Sequence, residues 1–219
     1  RDTPFRLGAE STAGTKLALI AKRAREEPKL KFTALMHHFS EANLEQCYGE
    51  LNGKKAPGVD GISKEEYGRE LSQNIGELVE RLKRFSYRPQ PVRRVLIPKG
   101  DGETRPLGIS CFEDKIVQQM AAKILEAIYE QVFLNCSFGF RPGRGCHEAI
   151  RSMNQYLYRN DVRWAVDIDI QSYFDTIDHD WLVRCLEERI QDPKFLRLIR
   201  RMVKAGILTA GEFSKTEEG

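Results

Sequence analysis

The segment "WAVDIDIQSYFDTIDH", at residues 164–179, constrains the fold more than any other part of the sequence. Four apolar residues occupy alternate positions along its first half: Trp164, Val166, Ile168 and Ile170. Residues two apart lie on the same face of a strand, so Asp167 and Asp169 share the opposite face. Two like charges that close repel each other unless water or a cation lies between them. The pattern predicts a strand that has either a solvated acidic face or a metal-binding carboxylate at its end.

The composition excludes several classes of protein. With 219 residues, 41% of them hydrophobic and 31% charged, the chain is long enough for one large or two small globular domains. No apolar run approaches the roughly 18 residues that span a bilayer, and no signal-peptide core is present. The five cysteines are scattered without CxxC spacing, which favours reduced thiols in a cytosol-like compartment and argues against a zinc site.

Positive charge is concentrated between residues 81 and 105. This stretch contains two acidic residues and eight basic ones, namely Arg81, Lys83, Arg84, Arg88, Arg93, Arg94, Lys99 and Arg105. Such a stretch suits a polyanion, because neutralising phosphates releases counterions. On charge alone, a solvated surface explains the same residues equally well.

Periodicity and turn residues predict a mixture of helices and strands. Helices are expected at 15–27, 41–52, 63–84, 114–132, 181–190 and 193–204, with another that ends at Tyr158. Ser63 and Glu66 have the spacing of a capping box. Short strands around Val95 and Leu107 flank "GDG", which predicts a hairpin, and "GILTAGEFSKTEEG" predicts a second one.

Four segments in order connect the chain to a known family: "KKAPGVDGIS", "IPKGDGETRPLGIS", "FGFRPGR" and "DIDIQSYFDTIDH". Together they resemble the reverse transcriptase domain of group II intron-encoded proteins, the intron maturases, from about Leu30 to the end. The resemblance implies an α+β right-hand polymerase fold, with helix-rich fingers and the first part of an antiparallel palm sheet packed on helices. It implies an N-terminal helical extension at 1–30, fingers and their connection at 31–160, and a partial palm at 161–219.

The resemblance also implies a catalytic role for Asp169. In this family a palm aspartate binds Mg²⁺, a hard cation that takes oxygen ligands, and the backbone carbonyl of Ile170 is the expected additional ligand. Asp167 does not match the family's position and is interpreted as a supporting or solvated carboxylate. Asp178 is expected to cap a helix rather than bind metal.

Further residues are implied to bind the nucleotide. Phe174 matches the aromatic residue that lies under the incoming sugar, and Ser172 and Tyr173 would offer backbone amides to the triphosphate. Lys99 and Arg105 flank the hairpin turn and would grip the triphosphate. A plain core aromatic and a solvated hairpin tip are the alternatives.

Two arginines in "GFRPGR", Arg141 and Arg144, are interpreted either as template contacts or as structural partners of palm carboxylates. With the basic residues between 81 and 94 they make up the expected RNA-binding set: Arg81, Lys83, Arg84, Arg88, Arg93, Arg94, Arg141 and Arg144. The expected partners are intron or template RNA, a DNA primer and dNTP in the cytoplasm, without a membrane, and homodimer formation stays open.

The chain also departs from the family. The aromatic-Ala-Asp-Asp turn that completes the metal site is absent from the sequence, and both ends look cut. We therefore expect a catalytically incomplete fragment of an RNA-directed DNA polymerase whose parent also assists intron splicing. Two alternatives stand beside it. One is a non-catalytic RNA-binding module, and the other is a related polymerase of a phage-defence or spacer-acquisition system.

Overall fold

The computed structural model describes residues 12–98 and 100–218, which form eight α-helices and four strands. The helices are α1 Thr12–Glu26, α2 Glu41–Glu50, α3 Lys64–Gly68, α4 Leu71–Lys83, α5 Phe112–Tyr129, α6 Cys146–Arg159, α7 His179–Glu187 and α8 Pro193–Val203. The strands are β1 Val92–Pro98, β2 Thr104–Ile109, β3 Ile207–Thr209 and β4 Glu212–Ser214. This content confirms the α+β class.

Side-chain caps fix where several helices begin. The Ser63 hydroxyl accepts from the Glu66 amide at 3.2 Å, and the Glu66 carboxylate accepts from the Ser63 amide at 2.8 Å. This is the predicted capping box, and it opens α3. Asp178 accepts from the Trp181 amide at 2.7 Å at the start of α7, which confirms its predicted role as a cap.

The four strands form one sheet in the order β2-β1-β3-β4. Strands β1 and β2 pair antiparallel with Val95 opposite Leu107, as the hairpin prediction requires, and β3 and β4 form the second predicted hairpin. Strands β1 and β3 pair in parallel, with Val92 opposite Ile207, so the sheet is mixed rather than antiparallel throughout. The parallel pair is possible because a long stretch of chain separates β2 from β3.

Gly206 allows β3 to enter the sheet beside β1. Its φ angle is +83°, and its carbonyl accepts from the Val92 amide at 2.9 Å. A Cβ atom at this position would lie 2.5 Å from the Phe213 ring. Only glycine combines this backbone conformation with so close an approach.

The strand predicted over residues 164–170 is not observed. Residues 161–170 belong to no helix or strand, and the apolar side chains of the segment are exposed, with 88% for Trp164 and 83% for Ile168. A strand needs a neighbour for its backbone groups, and the four described strands pair with one another instead. The segment therefore has the alternating sequence of a strand, but none of the described strands pairs with it and its apolar side chains are not buried.

The chain divides into two compact units, one made of α1 with residues 125–172 and one made of residues 31–124 with 173–218. The larger unit has a continuous apolar core, in which Leu44, Ile75, Leu78, Met120 and Phe195 are fully buried. The boundaries that the resemblance implies, at 30 and 160, stay predictions. Among the described residues, no helix has the length and apolar character needed to cross a membrane.

Candidate active site

The two aspartates of the opening segment lie in the irregular stretch 161–170. Both Asp167 and Asp169 are exposed. Water therefore reaches both carboxylates, which relieves the repulsion expected of like charges two residues apart. The structure does not distinguish the two, so the assignment of catalysis to Asp169 and of the carbonyl ligand to Ile170 stays a prediction.

The described residues do not by themselves complete a metal site. Within 12–98 and 100–218, no group of three or more His, Cys, Asp or Glu side chains is placed to hold a metal ion. Magnesium prefers near-octahedral oxygen ligation, with one or two carboxylates supplemented by water and phosphate oxygens. Asp169 fits the chemistry of such a ligand, but its surroundings here do not form the site.

A tight turn follows the aspartates. Ser172 has a φ angle of +49°, in the left-handed region that few non-glycine residues adopt, and Tyr173–Asp175 form one turn of 3-10 helix. The rings of Tyr173 and Phe174 make an edge-to-face pair with centroids 5.3 Å apart. Phe174 is 69% exposed, so it is not the core aromatic of the alternative interpretation. Local backbone strain is frequent at functional sites, which is consistent with the predicted nucleotide contacts of this turn.

The hairpin β1–β2 presents Arg105 to solvent. Arg105 lies opposite Ile97 in the register, close to a turn that Gly100–Gly102 forms. The Arg105 side chain is exposed and is therefore accessible to a triphosphate. Lys99, its predicted partner, lies outside the described residues.

The predicted RNA-binding residues before the hairpin differ in the contacts that they make within the protein. Arg81 forms an ion pair with Glu113 at 2.5 Å and is partly buried. Lys83 and Arg84 are exposed and lie 3.0 and 3.6 Å from Glu80. An exposed pair of this kind contributes little stability, so both cations remain available to a polyanion.

The remaining basic residues of the stretch fall into two groups. Arg93 donates to the Pro57 carbonyl at 2.8 Å and so ties β1 to the loop that contains "APGVDG". Arg88 and Arg94 are exposed. Arg94 also lines a cavity of about 560 Å³ together with Asp175, Gly206 and Glu218. No local sequence pattern reports this cavity, because its lining comes from five separate stretches of chain.

Arg141 is a structural residue. Its guanidinium donates to the Glu130 carboxylate from Nε at 3.0 Å and from Nη2 at 2.7 Å, and Nη1 donates to the carbonyls of Leu134 and Ser137. The side chain is 6% exposed. A structural ion pair is one of the two roles predicted for Arg141. Its partner is Glu130, which lies just after α5 and is not a palm carboxylate.

Arg144 stabilises the same loop from a more exposed position. It donates to the Asn135 carbonyl at 2.7 Å and lies over the Phe138 ring, 5.5 Å from its centroid. Both arginines of "GFRPGR" thus organise the loop that leads into α6. A template contact by Arg144 stays a prediction.

A buried polar cluster that the sequence did not reveal lies between α4 and α5. The Asp114 carboxylate accepts from the Tyr87 hydroxyl and from the Gln90 amide, the latter at 3.0 Å. Burial raises the pKa of the Asp114 carboxyl to about 6, against the lowering effect of these hydrogen bonds. Tyr87, which lies in the basic stretch, is a core residue.

Comparison with known proteins identifies the family of this chain. Residues 97–218 match the family described as reverse transcriptase (RNA-dependent DNA polymerase). Protein YkfC of Escherichia coli (strain K12) is 35% identical over 207 residues, which cover 91% of this chain and 54% of that protein. The group II intron-encoded protein LtrA of Lactococcus lactis subsp. cremoris is 36% identical over 205 residues, which cover 93% of this chain and 34% of LtrA.

A third relative is the nuclear intron maturase 1, mitochondrial, of Arabidopsis thaliana, which is 34% identical over 93 residues that cover 42% of this chain and 13% of that protein. The chain spans about half the length of YkfC and about a third of LtrA. Reverse transcriptases as a family use a divalent metal ion. The names of LtrA and of the Arabidopsis maturase agree with the group II intron-encoded type of reverse transcriptase that the sequence predicts. The chain belongs to the reverse transcriptase (RNA-dependent DNA polymerase) family, and within it to the group II intron-encoded kind.

Proposed function

We propose that this chain is part of an RNA-directed DNA polymerase that a group II intron encodes, and that the protein also assists splicing of that intron. The observation that carries the proposal is the family match over 97–218, since that range contains both strand β2 with Arg105 and the segment with Asp169. The name of the maturase relative supports the splicing role. The proposed partners are template or intron RNA, a DNA primer and dNTP, in the cytoplasm.

In this proposal Asp169 and the Ile170 carbonyl supply part of a Mg²⁺ site, which the described residues do not complete. A bound divalent ion would supply charge neutralisation for the reacting phosphates. The exposure of Asp169 leaves its carboxylate accessible to such an ion, which is the structural support for this role.

Other residues of the chain would position the nucleotide. Arg105 has a planar guanidinium suited to bidentate binding of phosphate, and it is exposed at the hairpin, with Lys99 as its proposed partner. Phe174 would contact the sugar face, because its ring is exposed in a strained turn. Ser172 and Tyr173 would donate backbone amides to the triphosphate.

A second candidate function is a non-catalytic RNA-binding module. The observation that favours it is that the segment with Asp169 is unpaired and exposed, while several cations are accessible. Both candidate functions include RNA binding, so primer extension is the activity that separates them.

The test compares two isosteric substitutions in a full-length protein that contains this segment. Asp169→Asn removes the proposed metal ligand and should abolish primer extension while RNA binding survives, because RNA contacts are spread over many Lys and Arg side chains. Asp167→Asn is the matched control, since it removes the same charge two residues away, and it should retain most activity.

Primer extension and RNA binding are measured on both variants, with circular dichroism to confirm that each is folded. An inactive Asp167→Asn beside an active Asp169→Asn would reverse the assignment of the two carboxylates. If both variants extend primers normally, this segment is not catalytic. If an unmodified full-length protein binds RNA but extends no primer, the non-catalytic module is the better description.

A further inference from the structure

Helix α8 has a solvent-facing side on which every exposed residue after Pro193 is basic. Its apolar side chains Phe195, Leu196, Leu198 and Ile199 are buried. Lys194, Arg197, Arg201 and Lys204 follow one another at spacings of three, four and three residues, which places them along one side of the helix. We call these four residues the α8 stripe. It lies outside the basic stretch between 81 and 105.

The α8 stripe is joined to the turn that precedes β1. Arg201 donates to the carbonyls of Phe85 and Tyr87, both at 2.7 Å, and the Lys194 ammonium lies 4.9 Å from the centre of the Phe85 ring. Burial, followed by the positive charges of Arg197 and Arg88, lowers the pKa of the Arg201 guanidinium. Cations from two separate parts of the chain therefore meet at one place on the surface.

Little negative charge offsets these cations locally. Residues 193–204 contain no aspartate or glutamate. Asp192, just before α8, is buried, and its carboxylate accepts from backbone amides, among them that of Leu35 at 2.6 Å. Glu187 lies 3.7 Å from Arg200, which is not part of the α8 stripe. A concentration of cations of this kind raises the local affinity for a polyanion.

We propose that the α8 stripe, together with Arg88, binds the phosphate backbone of structured RNA. The α8 stripe extends over eleven residues, or about 15 Å at the helical rise, and a nucleic-acid duplex presents several phosphates over that length. A membrane surface fits less well, because the four largest apolar side chains on the opposite side of α8 are buried and cannot enter the acyl region. The choice of RNA rests on the proposed function.

The test uses two double variants that lose the same charge. Arg197→Gln with Lys204→Gln removes two exposed members of the α8 stripe. Arg69→Gln with Lys215→Gln is the control, since both are exposed and lie in acidic stretches of sequence beside Glu66 and Glu217. Filter binding to a transcribed group II intron RNA is measured across a salt titration, with duplex DNA and phosphatidylserine vesicles as separate probes, and circular dichroism confirms folding.

We expect the α8 variant to bind the RNA about tenfold more weakly at moderate salt, and the slope of log K against log salt to fall by about 1.5. The control should stay within twofold of the unmodified protein. Equal losses in both variants, or an α8 variant that binds normally, would overturn the proposal. Preference of the unmodified protein for DNA or vesicles over RNA, or no RNA binding at low salt, would also overturn it. Primer extension by a full-length protein does not depend on these outcomes, so the proposed function can stand when the α8 proposal fails.

Discussion

Arg141 shows how one side chain can organise a loop. Its guanidinium makes a two-point contact with Glu130 and two further hydrogen bonds to backbone carbonyls, in a nearly water-free position. Removing the guanidinium would leave the partly buried Glu130 carboxylate without its ion-pair partner and would take one hydrogen bond from each of the two carbonyls. The cost of leaving a buried charge unpaired exceeds the value of the bonds themselves.

We expect Arg141→Gln to lower the free energy of unfolding by about 2–4 kcal/mol. Arg141→Lys should recover only part of the loss, because an ammonium cannot reproduce the planar two-point contact. Arg144→Gln is the matched control and should cost about 1 kcal/mol or less, since Arg144 is more exposed. Urea unfolding of the three variants measures this, and an Arg141→Gln protein as stable as the control would show that the loop does not depend on the pair.

At the residue scale, the sequence predicted roles that depend on near neighbours better than roles that depend on distant ones. The Asp178 cap and the Ser63–Glu66 capping box involve residues three apart, and both were predicted. The contact of Tyr87 with Asp114 joins residues 27 apart, and no local pattern reports it. Tyr87 lies among basic residues in the sequence, whereas the fold places its ring in the core.

At the element scale, both hairpins and the long helices were predictable because turn residues and periodicity are local signals. A strand is predicted over 164–170 but is not observed, because a strand forms only when a neighbour pairs with it, and the alternation does not show whether such a neighbour exists. The sequence of this segment is suited to a strand, but none of the described strands pairs with it. Its apolar side chains are therefore left exposed.

An unpaired, exposed segment should be an early target of proteolysis. We expect trypsin to cleave the Arg163–Trp164 bond of the 219-residue chain among its first sites, since residues 161–170 belong to no helix or strand. The matched control is Arg184, which is also exposed but lies within α7, and its bond should survive far longer. Mass spectrometry of a digestion time course identifies the order of cleavage. Protection of the Arg163 bond equal to that of Arg184 would mean that the segment is paired in solution.

At the scale of the whole molecule, the larger unit depends on polar contacts as well as on its apolar core. Tyr87 and Gln90, after α4, both donate to Asp114 in the first turn of α5, and Arg201 in α8 donates to carbonyls on the same stretch. Residues 85–90 are therefore held by hydrogen bonds on two sides, one to the buried Asp114 carboxyl group and one to Arg201. The protonation state of Asp114 should therefore influence the stability of the larger unit as a whole.

The raised pKa of Asp114 determines whether the stability rises or falls with pH. Burial raises the pKa to about 6 in the folded protein from an ordinary value of 3.8, so the folded state binds the proton more tightly than the unfolded state. The stabilising contribution is complete below about pH 4 and is lost as the pH rises through about 6, amounting to about 3 kcal/mol for a shift of about two pKa units.

Asp114→Asn removes the titration while keeping the shape of the side chain. We therefore expect the unmodified protein to lose stability relative to the Asn variant between about pH 4 and pH 6, and the difference to be constant at higher pH. Urea unfolding of both proteins at several pH values measures the difference in free energy directly. A difference that does not change over this range, or that changes in the opposite direction, would mean that the hydrogen bonds from Tyr87 and Gln90 outweigh burial and keep the carboxylate charged.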